Sequence, residues 1–170
     1  MPPMPSTRPL QSSLLRDVAF RSVLTSNGLQ RFAYTAMAVL LGFQVFEITR
    51  NPLDLGWLGL VEAIPGIGLV LYGGHVADRH RHRTILLVTS ALFTALAAGA
   101  AFASSRLPHR VEPLFVIAFL IGVVRAFEDP AAVGMEAQLV PLHQLVRATA
   151  LLATSDRLAQ VLGPALGGLL

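Results

Sequence analysis

The sequence predicts an all-α fold, a polytopic membrane helical bundle of about five transmembrane helices. Three observations carry this. The chain is 54% hydrophobic and only 14% charged, with a mean hydropathy of +0.62, whereas soluble domains average about 25% charged residues. Its apolar runs are long enough to cross a hydrocarbon core of roughly 30 Å. Short stretches rich in Arg, Pro and Gly separate those runs. Cysteine is absent, which excludes disulfides, thiolate metal sites and cysteine nucleophiles. The net charge of +3 and pI near 10.5 fit arginines flanking membrane spans better than nucleic-acid binding. The basic residues are dispersed, and no aromatic stacking platform accompanies them.

Residues 1–13 read as a disordered cytoplasmic tail, since the first twelve carry four prolines. The following segment is interrupted by Arg16, Asp17 and Arg21 and lacks a cleavage site, so it is not a secretory signal. Ser12 or Ser13 is placed to cap a short surface helix through Leu14, Leu15, Val18 and Phe20. The partial N-terminal transmembrane half, residues 14–170, is then divided into spans at about 24–48, 55–76, 84–104, 114–140 and 145–170.

The apolar centre of the first span, Phe32–Phe46, is too short to cross alone and extends back through Leu24–Arg31. Asn27, Arg31 and Thr35 recur at i, i+4 and i+8, so they share one face, turned towards protein or a water-filled cavity. Arg50–Asp54 is a polar turn in which Pro52 ends the preceding helix. The second span has Glu62 as its only charge and contains Pro65, Gly66, Gly68, Gly73 and Gly74, breakers that a membrane helix tolerates. The third, Thr84–Ser104, carries no charge and seven alanines. After the loop Ser105–Pro113, the fourth span is apolar to Val124. It then meets Arg125, Glu128, Asp129 and Pro130, and becomes apolar again through Val140, long enough for a tilted helix bent at Pro130. A turn at Pro141–Gln144 leads to the fifth span, interrupted by Asp156 and Arg157.

Between the second and third spans, Gly73–Arg83 reads as a tight charged loop. With the N-terminus inside, the cytoplasmic segments hold Arg8, Arg16, Arg21, Arg79, Arg81, Arg83 and Arg147, against Arg50, Arg106 and Arg110 outside. That asymmetry predicts a cytoplasmic N-terminus and a cytoplasmic Gly73–Arg83 loop.

Gly74-x-x-x-Asp78-Arg79-x-x-x-Arg83 resembles the cytoplasmic loop motif of the major facilitator superfamily. Gly163-Pro164-x-x-Gly167-Gly168 resembles that superfamily's exporter and antiporter motif, and Arg125 falls where the family places a membrane-embedded arginine. With Asp129-Pro130-Ala131 and Leu139-Val140-Pro141, the pattern is similar to the exporter branch that includes the enterobactin exporter. The similarity covers roughly residues 14–170. It implies about five helices of a twelve-helix fold in the bacterial inner membrane, and proton-coupled efflux of drug-like or siderophore-like small molecules. It also implies that Gly74, Asp78, Arg79 and Arg83 form a latch stabilising one access state. The sequence departs from the loop motif at Arg81, usually Gly or Asp, and at His82, usually Arg. On physical grounds Gly74 is expected to let the second span approach a neighbouring helix closely, and a topogenic basic loop is the simpler alternative to a latch.

Arg31, Glu62, Arg125, Asp129 and Asp156 are the candidates for coupling or substrate contact, because charge at membrane depth is costly unless paired or hydrated. Glu62 is the favoured proton-carrying or substrate-facing acid, since desolvation disfavours a carboxylate's charged form. For Arg125, an intrahelical pair with Glu128 or Asp129, at i+3 and i+4, is the structural alternative. Gly163, Pro164, Gly167 and Gly168 are expected to bend the helix and give it a smooth packing face. His75, His80 and His82 read as solvated loop histidines, with no cysteine or clustered acid to complete a metal shell. No P-loop, nucleophile elbow, His-Glu-x-x-His or dinucleotide fingerprint occurs, so neither an enzyme nor a cofactor is expected.

The expected function is secondary transport, with small-molecule substrate, protons and bilayer as partners. Because the family assembles twelve spans around a central site, the chain reads as a truncated N-terminal portion whose partner half is missing. A non-transporting membrane scaffold and an importer of the same fold are the alternatives.

Overall fold

A computed structural model describes residues 18–107, 109–139 and 145–167. The proline-rich tail, the Ser12/Ser13 cap, the Pro141 turn and Gly168 lie outside the described residues. Five helices follow one another: α1 (Val18–Thr49), α2 (Pro52–Arg79), α3 (His82–Arg106), α4 (Glu112–Leu139) and α5 (Leu145–Gly167). Three of these are long and apolar enough to cross a membrane: α1 from Arg21, α2 and α3. The fold is therefore the expected all-helical bundle.

Each connection follows from local chemistry. Arg50 takes a left-handed conformation with φ 53°, and its N–H donates to the Phe46 carbonyl at 2.8 Å, which closes α1. Asn51 caps α2 by accepting from the Leu53 N–H, and Pro52 occupies the first turn, where no amide donor is needed. Between α2 and α3 only His80 and Arg81 are non-helical. The reading of Gly73–Arg83 as a loop is corrected here. Gly73 through Arg79 complete α2, and His82 and Arg83 already open α3. A two-residue turn suffices because the His80 N–H still reaches the Val76 carbonyl and Thr84 N–H returns to Arg81. Val18–Phe20 likewise belong to α1 itself rather than to a separate surface helix.

The helices pack as α2 along α4, α1 along α5 and α3 along α4. The core lies where α1, α3 and α4 converge. On α1, Tyr34, Met37, Leu41 and Val45 form a stripe at spacings of three and four residues, facing Phe93 and Ala100 of α3 and Leu114, Ile117 and Ile121 of α4. Tyr34 and Phe93 are in ring contact, 4.1 Å between centroids.

Small residues set the two closest crossings. On α5, Ser155, Ala159 and Gly163 recur every fourth residue against α1. Gly28 packs on Ser155, Gly163 packs on Thr35 and the Phe32 carbonyl, and a Cβ at either glycine would collide. Between α2 and α4, Gly122 sits against the Glu62 carbonyl and Pro65, and Gly73 against the Ala126 carbonyl. Pro130 has no N–H to offer that Ala126 carbonyl, so the proline frees it and Gly73 covers it.

Candidate functional site: a charge ladder across four helices

Because α4 is packed by both α2 and α3 and also touches α1, the polar residues after Val124 are carried into the middle of the bundle. Arg125 Nη1 donates to Glu62 Oε1 of α2 at 3.1 Å, and its Nη2 lies 3.9 Å from Asp129 Oδ2. Asp129 Oδ1 in turn faces Arg31 Nη2 of α1 at 3.3 Å, and Arg31 Nε lies 4.0 Å from Asp156 Oδ1 of α5. Glu62, Arg125, Asp129, Arg31 and Asp156 thus form one ladder of alternating sign through α2, α4, α1 and α5. All five are residues the sequence singled out.

All five are half-buried; the Glu62 side chain retains 24% of its exposure and Asp129 45%. Glu62, Arg125 and Asp129 line a recess of about 420 Å3 that also borders Gly59, Gly66 and Gly122. The glycines keep this wall low, so the acids face open space rather than side chains. Two cations against three acids leave the ladder with one uncompensated negative charge when all are ionised.

A second, drier layer lies beneath it. Glu128 is 7% exposed; it accepts from the Tyr34 hydroxyl at 2.7 Å and from Gln30 Nε2 at 3.4 Å. The Arg125 guanidinium stands 5.7 Å above the Tyr34 ring, linking the layers. Glu128 is therefore not the partner of Arg125, whose in-helix contact is Asp129 alone. The hydroxyl and amide on α1 claim Glu128 instead. Glu136 accepts from Asn27 Nδ2 at 2.6 Å, so the end of α4 is not simply apolar. The signal for Glu128 was available as Gln30 and Tyr34 at i and i+4 on α1, beside the stripe of Asn27, Arg31 and Thr35. That stripe faces α4 and α5, where the Thr35 hydroxyl donates to the Ala159 carbonyl at 3.2 Å.

At the α2–α3 turn, Gly74 makes no close approach to another helix among the described residues. A Cβ there would meet nothing within 4 Å, whereas Gly73 is wedged against α4. One residue is about 100° of helix rotation, and Leu58, Pro65, Gly73 and Ala77 define the buried face. Asp78, Arg79 and Arg83 are exposed, with no ion pair among the described residues. His82 is not a solvated loop histidine: its ring packs on Gly134 of α4, and its Nδ1 is buried without a hydrogen-bond partner. His80 Nδ1 lies 3.1 Å from the Val76 carbonyl. Among the described residues no group of three or more His, Asp or Glu side chains is placed to hold a metal.

A helical bundle with three helices long and apolar enough to cross a membrane has the build of a multi-pass membrane protein. Residues 23–170 match the Major Facilitator Superfamily, and the chain belongs to that family. It is similar to a Bacillus subtilis (strain 168) protein described as an uncharacterized MFS-type transporter, YfiS, with 28% identity over 134 residues. That alignment covers 77% of this chain and 30% of the relative, so the chain spans about a third of the length of the curated relative it matches. No solved structure matches it significantly.

Proposed function

We propose that this chain supplies the N-terminal helices of a proton-coupled exporter of small molecules in a bacterial inner membrane, with its N-terminus cytoplasmic. The ladder carries the reading. Its five groups join α1, α2, α4 and α5, so protonation of any acid, or arrival of a cationic substrate group, changes the pairing of four helices together. The uncompensated charge favours uptake of one positive charge, which a proton or a substrate ammonium supplies equally well. Competition between the two for one acidic position is the physical requirement for exchange.

Glu62 is the exchangeable acid in this scheme. It lines the recess and is held by a single arginine, whereas Asp129 is shared between two. Arg125 and Arg31 bridge the remaining acids, and Asp156 transmits the change to α5. Gly163 keeps α5 close against α1, so that release of Asp156 is felt as a shift between the two helices, and Pro164, Gly167 and Gly168 complete the exporter glycine motif. Gly74, Asp78, Arg79 and Arg83 act as one half of a latch. Asp78, Arg79 and Arg83 are exposed and without an ion pair among the described residues, which fits partners contributed by other helices of the transporter, and spans four and five belong to the same transmembrane half as the first three.

The test is accumulation of a panel of fluorescent small molecules in cells expressing the complete transporter that contains this segment, with and without a proton gradient. Export predicts lower accumulation with the gradient intact, and loss of that difference in Glu62→Gln. Higher accumulation with the gradient indicates an importer, and no difference for any compound indicates a scaffold.

A further inference from the structure

Two cavities away from the ladder meet at the α2–α3 turn. One is a recess of about 550 Å3 formed by Arg79, Arg81, His82 and Arg83 with Met135, in which Asp78 is the single acid. The other is a groove of about 480 Å3 between α2, α3 and α4, walled by Val76, Ile85, Val88, Leu92, Val123 and Phe127. His80 and Arg81 line both. The groove opens on the outside of the bundle, where Val88 and Leu92 remain 54% and 50% exposed.

We propose that this composite cavity binds one anionic glycerophospholipid, its headgroup phosphate on Arg81 and the neighbouring arginines and an acyl chain in the groove. Charge complementarity selects the headgroup, because three arginines face one acid and none of the three is ion-paired among the described residues. The groove selects a lipid rather than a soluble phosphate, since only an amphiphile satisfies a basic pocket and a hydrocarbon slot at once. The position agrees: the turn joins two apolar spanning helices and so lies at a membrane–water boundary, where arginines attract anionic headgroups. Arg81, at the junction, stands where the loop motif usually has Gly or Asp, so this site is a property of this chain. The proposal requires that the chain sits in a membrane and is tested at Arg81, which is not one of the four latch residues.

The experiment places the purified chain in nanodiscs of equal phosphatidylcholine and phosphatidylglycerol and weighs the lipid retained after gentle detergent exchange by native mass spectrometry. Phosphatidylglycerol is expected to be enriched over the bulk ratio. Arg81→Gln should cut the enrichment about fivefold, Arg81→Lys should keep most of it, and Val88→Trp should reduce retention of both lipids. Soluble glycerol 1-phosphate should not displace the bound lipid. Equal retention of the two lipids by the unaltered chain overturns the proposal even if a variant fails to fold. So do enrichment unchanged in Arg81→Gln and displacement by glycerol 1-phosphate, the latter pointing to a soluble phosphate.

Discussion

At the scale of single residues, Tyr34 and Glu128 make the sharpest demand. The carboxylate is 7% exposed and its shortest hydrogen bond comes from the Tyr34 hydroxyl. Tyr34→Phe keeps the ring contact with Phe93 and removes only that donor. It is expected to lower stability by about 1–3 kcal/mol, the cost of an under-satisfied buried polar group, read as a reduced melting temperature in detergent. Tyr34→Phe combined with Glu128→Gln should recover much of that loss, because the neutral amide no longer needs a charge-stabilising donor. The ladder makes a different prediction. Arg125→Gln leaves Glu62 and Asp129 facing the recess with one cation fewer, whereas Arg125→Gln with Glu62→Gln removes charges of both signs. The double variant should be more stable than the single one, by about 1 kcal/mol for half-exposed partners.

The residues of the ladder were legible because charge inside an apolar run stands out whatever the tertiary structure. Their pairing was not. Arg125 has acids at i+3 and i+4, and sequence spacing makes both look like partners. Helix rotation turns Glu128 towards Tyr34 and Asp129 towards Arg31, a distinction of one residue that only packing decides. Glu136 escaped notice because Asn27, its partner, lies 109 positions away in the chain.

At the scale of helices, the glycines divide into those that touch a neighbour and those that do not. Gly73 lies against the backbone of α4, and Gly74 faces open space. Gly73→Ala is therefore expected to destabilise by about 1–3 kcal/mol through overpacking, and Gly74→Ala to change the melting temperature of the isolated bundle hardly at all. Equal effects would mean that α2 is rotated from the position described. Gly163→Val should separate α5 from α1 at Thr35, because the obstructing atoms include the Phe32 carbonyl, which cannot rotate away. The sequence shows that glycines cluster in α2 and α5, but not which of two adjacent glycines is the contact. The α2–α3 connection is shorter than the charge pattern suggested for a related reason. Arg79, His82 and Arg83 are polar but not helix breakers, so the helices continue through them once the chain leaves the apolar region.

At the scale of the whole molecule, topology is the accessible observable. The chain has no cysteine, so single cysteines report without background. Arg81→Cys should react with a membrane-impermeant maleimide only after cells are permeabilised, whereas Asn51→Cys and Arg110→Cys should react in intact cells. The reverse pattern would invert the orientation read from the arginines. Class and family were legible in the sequence because apolar runs and two spaced motifs survive without any knowledge of packing. Substrate was not, because charges inside apolar runs mark polar positions without specifying which small molecule would meet them.

The ladder as a proton-exchanging element is tested most directly by proton flux in everted membrane vesicles. Vesicles containing the complete transporter are energised, and a pH-sensitive fluorophore reports the gradient as candidate small molecules are added. Exchange predicts that a transported compound dissipates the gradient with the unaltered ladder and fails to do so with Glu62→Gln or Arg125→Gln. Dissipation of equal size in both variants would contradict the account.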